Sequence, residues 1–465
     1  MRIVYLGIYF FVLPLLGIAQ DVGKNLQDAI HKFEADSQMR HAIYSLYVVD
    51  GKSGKVVYDK NSQIGLAPAS TQKLLTSGAA FELLGNNFKY KTDLGYRGSI
   101  AKGILKADLL IIESGDPTLG SWRFENTKED SILRYWMEKI KSQKIKQINH
   151  GIWIYHNGWS NQTIPDGWIW QDIGNYYGAG ASGINWRENQ YDLILRSGKN
   201  IGDLVEIVNT RPTLVNVKLS SEVITAAKGS GDNAYIYLAP YGDYGVVRGT
   251  IPADEKNFTI SGSFPNPGIQ LISTLKKELE KNDIKVFAEI DTTELRQYIE
   301  KPNIFASVYS PPLDSINYWF LRRSINLYGE ALVKTISHIK TGIGSTEKGI
   351  ELVKDFWVEK GIDKGAINII DGSGLSPQNR VTTNALVQVL RFAKTRPWYN
   401  SFYTSLPTYN GMKMKSGSIG GSRSFAGYHT SKDGHEYIFA IIVNNYDGSS
   451  NSIVRKMHAL LDNLK

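Results

Sequence analysis

Ser70 and Lys73 lie three residues apart, directly after Pro68. Proline suits the entry to a helix and Gly85 suits its end, so this stretch predicts a helix over residues 73–84. Side chains three apart share a helix face, which brings the lysine amine within reach of the serine hydroxyl. A partly desolvated lysine can take the serine proton and turn the oxygen into a nucleophile. The pair therefore predicts acyl transfer through a covalent serine intermediate.

The same Ser-x-x-Lys spacing occurs four more times, so spacing alone does not identify the nucleophile. The other pairs are Ser99/Lys102, Ser273/Lys276, Ser337/Lys340 and Ser345/Lys348. Each of them is compatible with a solvated helix face or a loop. The rest of the chain has to distinguish Ser70 from these alternatives.

An acyl-transfer serine also needs a second proton carrier and a polar group that holds the substrate amide. The pattern Ser-x-Asn, which supplies both, occurs at residues 315–317, 324–326 and 449–451. Ser315 suits a helix start and Ser449 follows a loop. Ser324 lies at a break between two predicted helical runs, where a side chain can face a cleft. We therefore favour Ser324 and Asn326.

A cation on a strand is the third requirement, and Lys-(Ser/Thr)-Gly occurs at Lys52, Lys340 and Lys415. Lys52 lies in a predicted hairpin turn, and Lys340 lies at a predicted helix end closed by Gly342. Lys415-Ser416-Gly417-Ser418 leads into a C-terminal hairpin, where a strand edge can pair with an extended peptide. We therefore favour Lys415 as the cationic residue of the site.

Composition excludes several other classes of protein. The chain has 465 residues, enough for about three domains, with 42% hydrophobic and 21% charged residues and no cysteine. Neither a disulfide nor a lipid on cysteine is therefore expected. The net charge of +8 is dispersed and accompanies no nucleic-acid motif. The eight histidines form no His-Glu-x-x-His pattern and no Gly-x-Ser-x-Gly elbow is present, so we expect no metal or other cofactor.

Residues 1–19 have the pattern of a secretory signal peptide. Met1-Arg2 begins it, an apolar run follows, and small residues precede Gln20. The apolar run is shorter than the roughly 20 residues that span a membrane, and no later stretch is long and apolar enough. We expect a periplasmic or secreted protein without a membrane span after cleavage.

The remaining chain predicts an α+β fold whose catalytic domain is interrupted. A helix over 24–38 and a hairpin over 43–58 precede Ser70, and a second hairpin with a closing helix ends the chain. Residues 88–264 change to short alternating strands with glycine-rich turns. We therefore predict catalytic parts at 20–87 and 265–465 around an inserted accessory region at 88–264.

In their order, the motifs resemble the low-molecular-mass class C penicillin-binding proteins, the penicillin-binding protein 4-like D-alanyl-D-alanine carboxypeptidases and endopeptidases. Besides the segments around Ser70, Ser324 and Lys415, the resemblance includes Gly115-Asp116-Pro117-Thr118-Leu119, Tyr176-Tyr177-Gly178-Ala179 and Asp371-Gly372-Ser373-Gly374-Leu375-Ser376. It covers nearly the whole mature chain. The resemblance implies a transpeptidase/β-lactamase-like catalytic domain, with an antiparallel sheet and a helical lobe.

The resemblance also implies roles for the site residues. Ser70 would attack the carbonyl between two D-alanines, Lys73 would be the base, and Ser324 would relay the proton to the leaving amine. Asn326 would hold the substrate amide, and Lys415 with the hydroxyls of Ser416 and Ser418 would bind the carboxylate. The N–H groups of Ser70 and Ser418 would form the oxyanion hole. The implied partners are peptidoglycan stem peptides and β-lactams, the latter as covalent inhibitors.

Of three departures from the family pattern, the last two concern recognition of the substrate's diamino-acid side chain rather than acylation. Ser416 replaces the usual threonine but keeps the hydroxyl, Pro377 stands where members often carry arginine, and residues 151–157 lack an aspartate found in some members. Asp371 and Gly374 are interpreted as parts of a turn. Two alternatives remain: a β-lactamase or esterase on the same scaffold, and a non-catalytic wall-binding protein.

Overall fold

The computed structural model describes residues 17–287 and 301–465, with side chains from residue 22 onwards. Residues 1–16 of the predicted signal peptide therefore lie outside the described residues. Within the described residues, no helix combines the length and the apolar character that crossing a membrane requires.

The first part of the chain forms a helix, a hairpin and the helix that follows Ser70. These elements are α1 (Gly17–Glu34), β1 (Ile43–Asp50), β2 (Val56–Lys60) and α2 (Lys73–Leu84). α2 has the predicted bounds and ends at Gly85, whose φ of 84° is readily adopted only by glycine. Its residues from Lys73 to Phe81 are all buried, so the nucleophile turn is continuous with the centre of the protein.

In the described residues of its middle part, the chain forms four small sheets and three helices. Its elements are β3 (Lys91–Tyr96), β4 (Ile100–Ala101), β5 (Ile104–Leu105), β6 (Asp108–Ile112), α3 (Glu129–Ser142), β7 (Gln147–Ile148), β8 (Gly151–Tyr155), α4 (Trp170–Ile173), β9 (Gln190–Arg196), β10 (Glu206–Arg211), β11 (Lys218–Ala226), β12 (Asn233–Tyr237), β13 (Tyr244–Pro252), β14 (Phe258–Ser263), α5 (Pro267–Lys281), β15 (Lys285–Val286) and β16 (Asn303–Tyr309). The strand orders are β16-β3-β6-β8, β15-β7-β5-β4, β10-β9-β14 and β11-β13-β12.

The last part forms the helical lobe and the strands that carry Lys415. Its elements are α6 (Leu313–Arg322), α7 (Asn326–Thr341), α8 (Thr346–Glu359), β17 (Ile367–Asn368), β18 (Arg380–Val381), α9 (Thr383–Lys394), α10 (Tyr399–Ser405), β19 (Thr408–Tyr409), β20 (Met412–Ile419), β21 (Ser422–Thr430), β22 (Glu436–Asn444) and α11 (Ser450–Leu461).

Both ends of the chain meet in one antiparallel sheet of order β19-β20-β21-β22-β1-β2. Strand side chains alternate between the two faces, and the sheet is covered on both. Met412 and Met414 pack with α1 and α11 on one face, so Lys413 and Lys415 face the helical lobe. The predicted antiparallel sheet and helical lobe are therefore present.

Two elements that follow the predicted boundary at 264 contact the inserted region. Leu271 and Leu275 of α5 share a buried apolar cluster with Leu109 of β6 and Trp136 of α3, and β16 pairs with β3. α5 and β16 therefore pack against elements of the inserted region. The boundary at 264 stays a prediction, since strand pairing over about 200 residues leaves no local signal in the sequence.

Candidate active site

Ser70 lies in a 3-10 turn, Ala69–Gln72, that runs directly into α2. Its hydroxyl is 2.9 Å from the Lys73 ammonium, as the spacing predicts. Ala69 has a φ of 47°, a left-handed conformation that is unfavourable for a residue with a side chain. Such strain persists when the surrounding structure holds it in place, and it is common at functional sites.

Lys73 is fully buried and has three hydrogen-bond partners. It donates to Ser70 Oγ, to Asn326 Oδ1 at 2.6 Å and to the Ser373 carbonyl at 2.7 Å. Burial lowers its pKa to about 7, although the carboxylates of Asp371 and Glu330 oppose this effect. A neutral amine has two N–H bonds and one lone pair. Because Asn326 and Ser373 present only acceptors to it, the lone pair is left for the Ser70 hydroxyl proton.

The segment 371–376 packs against the residues around Ser70 and Lys73 and holds them in place. Asp371 accepts hydrogen bonds from the backbone N–H groups of Gly374 and Ser376, at 2.8 and 2.7 Å, which closes the predicted turn. Gly374 has a φ of 81°, and a Cβ there would lie 2.0 Å from the Ala69 carbonyl oxygen. This glycine therefore lets the turn pack directly against the nucleophile segment.

Three further buried side chains, Gln72, Trp168 and Glu330, hold the same segment. Gln72 donates to the Asp371 carboxylate at 3.0 Å, and Trp168 of the inserted region donates to it at 2.9 Å. Glu330 on α7 accepts the Gly372 N–H with both oxygens, at 3.1 and 3.0 Å. Burial, with the nearby charge of Asp371, raises the pKa of Glu330 to about 8.

Ser324 and Lys415 form the second half of the site. Ser324 lies between α6 and α7, as predicted, and its φ of 58° turns the chain sharply there. Lys415 Nζ lies 2.9 Å from Ser324 Oγ and 2.8 Å from the Ser416 carbonyl oxygen. Burial, and then the charge of Lys73, lowers the pKa of Lys415 well below its usual value.

Asn326 begins α7 and links three parts of the fold. Its Oδ1 accepts from Lys73, and its Nδ2 donates to the Tyr177 carbonyl of the inserted region at 2.7 Å. The inserted region thereby fixes the orientation of an amide that is also hydrogen-bonded to the buried lysine.

β20 passes beside the nucleophile at Gly417. A Cβ on this residue would lie 2.5 Å from the Pro68 carbonyl oxygen and 3.0 Å from the Ser70 nitrogen. Ser416 is half-buried and Ser418 is exposed. The three distant segments that carry Ser70, Ser324 and Lys415 thus meet at one place.

The competing motifs lie in structural positions elsewhere. Ser345 and Ser449 cap the N-termini of α8 and α11, and Ser315 lies inside α6. Gly342 ends α7 with a φ of 78°, and Lys52 lies in the turn between β1 and β2. Among the described residues, no group of three or more histidine, aspartate or glutamate side chains could hold a metal ion.

Sequence reasoning missed Glu330, the Ser373 carbonyl and the Trp168 indole. Glu330 and Trp168 belong to none of the motifs recognised in the sequence, and Ser373 lies in the 371–376 run, which was interpreted only as a turn. The roles of Ser373 and Tyr177 depend on backbone carbonyls, which every residue type possesses, so residue identity carries no signal for them.

Comparison with known proteins identifies the family. Residues 26–464 match the D-Ala-D-Ala carboxypeptidase 3 (S13) family. The chain is 24% identical to a D-alanyl-D-alanine carboxypeptidase of Actinomadura sp. (strain R39), over 91% of this chain and 81% of that protein. It is also 24% identical to D-alanyl-D-alanine carboxypeptidase DacB of Haemophilus influenzae, over 84% of this chain and 83% of that protein.

The fold has a close counterpart among solved structures. Penicillin-binding protein 4 (dacB) from H. influenzae superimposes with a TM-score of 0.79 at 21% identity, over 95% of this chain and 99% of that one. These matches confirm the predicted fold class and the predicted enzyme class, a serine-type D-Ala-D-Ala carboxypeptidase. With nearly its whole described length matched, the chain belongs to the D-Ala-D-Ala carboxypeptidase 3 (S13) family.

Proposed function

We propose that this protein hydrolyses the peptide bond between two D-alanines of peptidoglycan stem peptides through an acyl-enzyme on Ser70. The observation that carries the proposal is the hydrogen bond from Lys73 to Ser70 Oγ. The two other hydrogen-bond partners of the amine, Asn326 Oδ1 and the Ser373 carbonyl oxygen, are acceptors that the fold holds in place. This geometry supplies a nucleophile and its base before substrate arrives, which removes the cost of arranging them during the reaction.

Acylation begins when Ser70 Oγ attacks the carbonyl carbon while its proton moves to Lys73 Nζ. The backbone N–H groups of Ser70 and Ser418 receive the developing oxyanion, an interaction worth about 3–4 kcal/mol per donor in other enzymes. The C–N bond then breaks as the leaving amine takes the proton of Ser324 Oγ, and Ser324 takes in its place the proton that Lys73 received from Ser70, so that Lys73 returns to its neutral form. Lys415 Nζ, hydrogen-bonded to Ser324 Oγ, holds this hydroxyl in position for both proton transfers. Water then hydrolyses the ester and regenerates Ser70.

Substrate recognition follows from the strand beside the nucleophile. Lys415 and the hydroxyls of Ser416 and Ser418 bind the terminal carboxylate, and Asn326 holds the substrate amide. A β-lactam acylates the same serine and acts as a covalent inhibitor. The N-terminal signal pattern supports a location in the periplasm or outside the cell, where this substrate occurs.

Labelling with a fluorescent penicillin tests the nucleophile. We expect the wild-type protein to be labelled and to release D-alanine from a peptide ending in D-Ala-D-Ala, and Ser70→Ala to do neither. Ser99→Ala is the matched control, because Ser99 has the same Ser-x-x-Lys spacing but is exposed and remote in the sequence. Label that persists in Ser70→Ala would refute the assignment. Rapid loss of label with turnover of the drug would instead favour a β-lactamase.

A further inference from the structure

β20 carries a row of residues on the face that looks toward the helical lobe. Gly417 lies against the Ser70 nitrogen, and Lys415 reaches Ser324. Lys413 is the next residue on this face. It lies about 7 Å further along the strand than Lys415, because two residues of a strand span about that distance. The order along the strand is therefore nucleophile, proton donor, and then a second lysine with no place in the mechanism above.

Lys413 is paired with another cation instead of a carboxylate. Its Nζ donates to the Leu406 carbonyl oxygen at 3.2 Å, and Arg322, the last residue of α6, donates to the same oxygen at 3.4 Å. Their charges also lie over aromatic rings, Arg322 at 5.8 Å from Tyr318 and Lys413 at 5.7 Å from Tyr403. No carboxylate in the described part of the chain forms an ion pair with either.

Two cations on one carbonyl repel each other. Partial burial, and then the charge of Arg322, lowers the pKa of Lys413. Arg322 is exposed and Lys413 is half-buried, so solvent and ligands can reach this excess of positive charge. An incoming carboxylate would relieve the repulsion and accept charge-assisted hydrogen bonds from both groups.

We propose that Arg322 and Lys413 form a binding site for a carboxylate on the leaving-group side of the substrate. This inference rests on the proposed function, in which Ser324 protonates the leaving amine. The substrate beyond that amine must then continue away from Ser70, past Ser324 and Lys415, toward the cation pair.

The position of the pair indicates which leaving group it serves. A single D-alanine places its carboxylate at Lys415 and is too short to reach one residue pair further along β20. The leaving group of a cross-linked peptide is longer and carries further carboxylates. The pair therefore favours cleavage of cross-links over removal of a terminal D-alanine.

The test compares three substrates with purified full-length protein. They are a pentapeptide ending in D-Ala-D-Ala, a cross-linked peptide dimer with free carboxylates on the leaving side, and the same dimer with those carboxylates amidated. The test variant is Arg322→Gln/Lys413→Gln. Its matched control is Arg455→Gln/Lys432→Gln, which removes the same charges at exposed positions in α11 and in the turn after β21.

We expect the test variant to lose about tenfold in kcat/KM on the free-carboxylate dimer, mainly through KM. Its rates with the pentapeptide, with the amidated dimer and in penicillin acylation should stay within about twofold of wild type. An unchanged rate on the free dimer, or an equal loss on every substrate, would overturn the inference and leave the proposed function standing. Failure of the wild-type protein on all three substrates would overturn both.

Discussion

The lowered pKa of Lys73 predicts how acylation depends on pH. The amine must be neutral to accept the Ser70 proton, and burial brings its pKa to about 7. About 1% of the lysine is then neutral at pH 5, about 10% at pH 6 and about 90% at pH 8. The second-order rate constant for acylation by penicillin should therefore rise about 100-fold from pH 5 and level off above pH 8.

The assay is stopped-flow or timed labelling with a fluorescent penicillin, from pH 5 to pH 9. Circular dichroism at each pH verifies that the protein stays folded, and the spontaneous hydrolysis of the drug is subtracted. Lys73→Arg is the control, because a guanidinium keeps the charge but does not deprotonate in this range. It should show no acylation at any pH.

Two results would refute this reasoning. A rate that still rises tenfold per pH unit at pH 9 would mean that Lys73 keeps the pKa of an exposed lysine. A rate independent of pH from 5 to 9 would mean that no group titrating near neutrality takes the serine proton.

Two structural predictions follow from the same site and its support. Gly417→Ala should reduce the rate of penicillin acylation by about 100-fold or more, because the new Cβ would lie 2.2 Å from Ser424 Oγ and 2.5 Å from the Pro68 carbonyl oxygen. The control is Gly420→Ala, whose Cβ would meet nothing within 4 Å and which should keep the wild-type rate. Equal rates in both variants would contradict the prediction. Lys334→Ala should lower the free energy of unfolding by about 3 kcal/mol, because it leaves three carbonyl acceptors of the inserted region without their buried partner. Denaturant unfolding measures this loss against the exposed Lys340→Ala on the same helix, and a difference below about 0.5 kcal/mol would argue against it.

The parts of the site that depend on neighbours in the chain could be predicted. Ser70 and Lys73 meet because three residues along a helix return to the same face, and the bounds of α2 follow from its flanking residues. Local context also separated Lys415 from Lys52 and Lys340, since a strand edge differs from a turn or a helix end in the residues around it.

Contacts between distant segments could not be predicted in the same way. Asn326 is recognisable as part of Ser-x-Asn, but its bond to the Tyr177 carbonyl depends on how the inserted region packs. Glu330 and Trp168 hold the 371–376 turn through contacts that no spacing encodes. Packing also brings α5 and β16 against strands and helices that lie more than 100 residues earlier in the chain.

Short-range chemistry in this protein can therefore be read from residue types, because backbone geometry brings a residue and its third or fourth neighbour together wherever a helix forms. The low pKa of Lys73 and the cation pair of Arg322 and Lys413 belong to the folded chain alone. Both result from burial and from charges brought together by segments far apart in sequence, which exist only once the sheet and the helical lobe have packed.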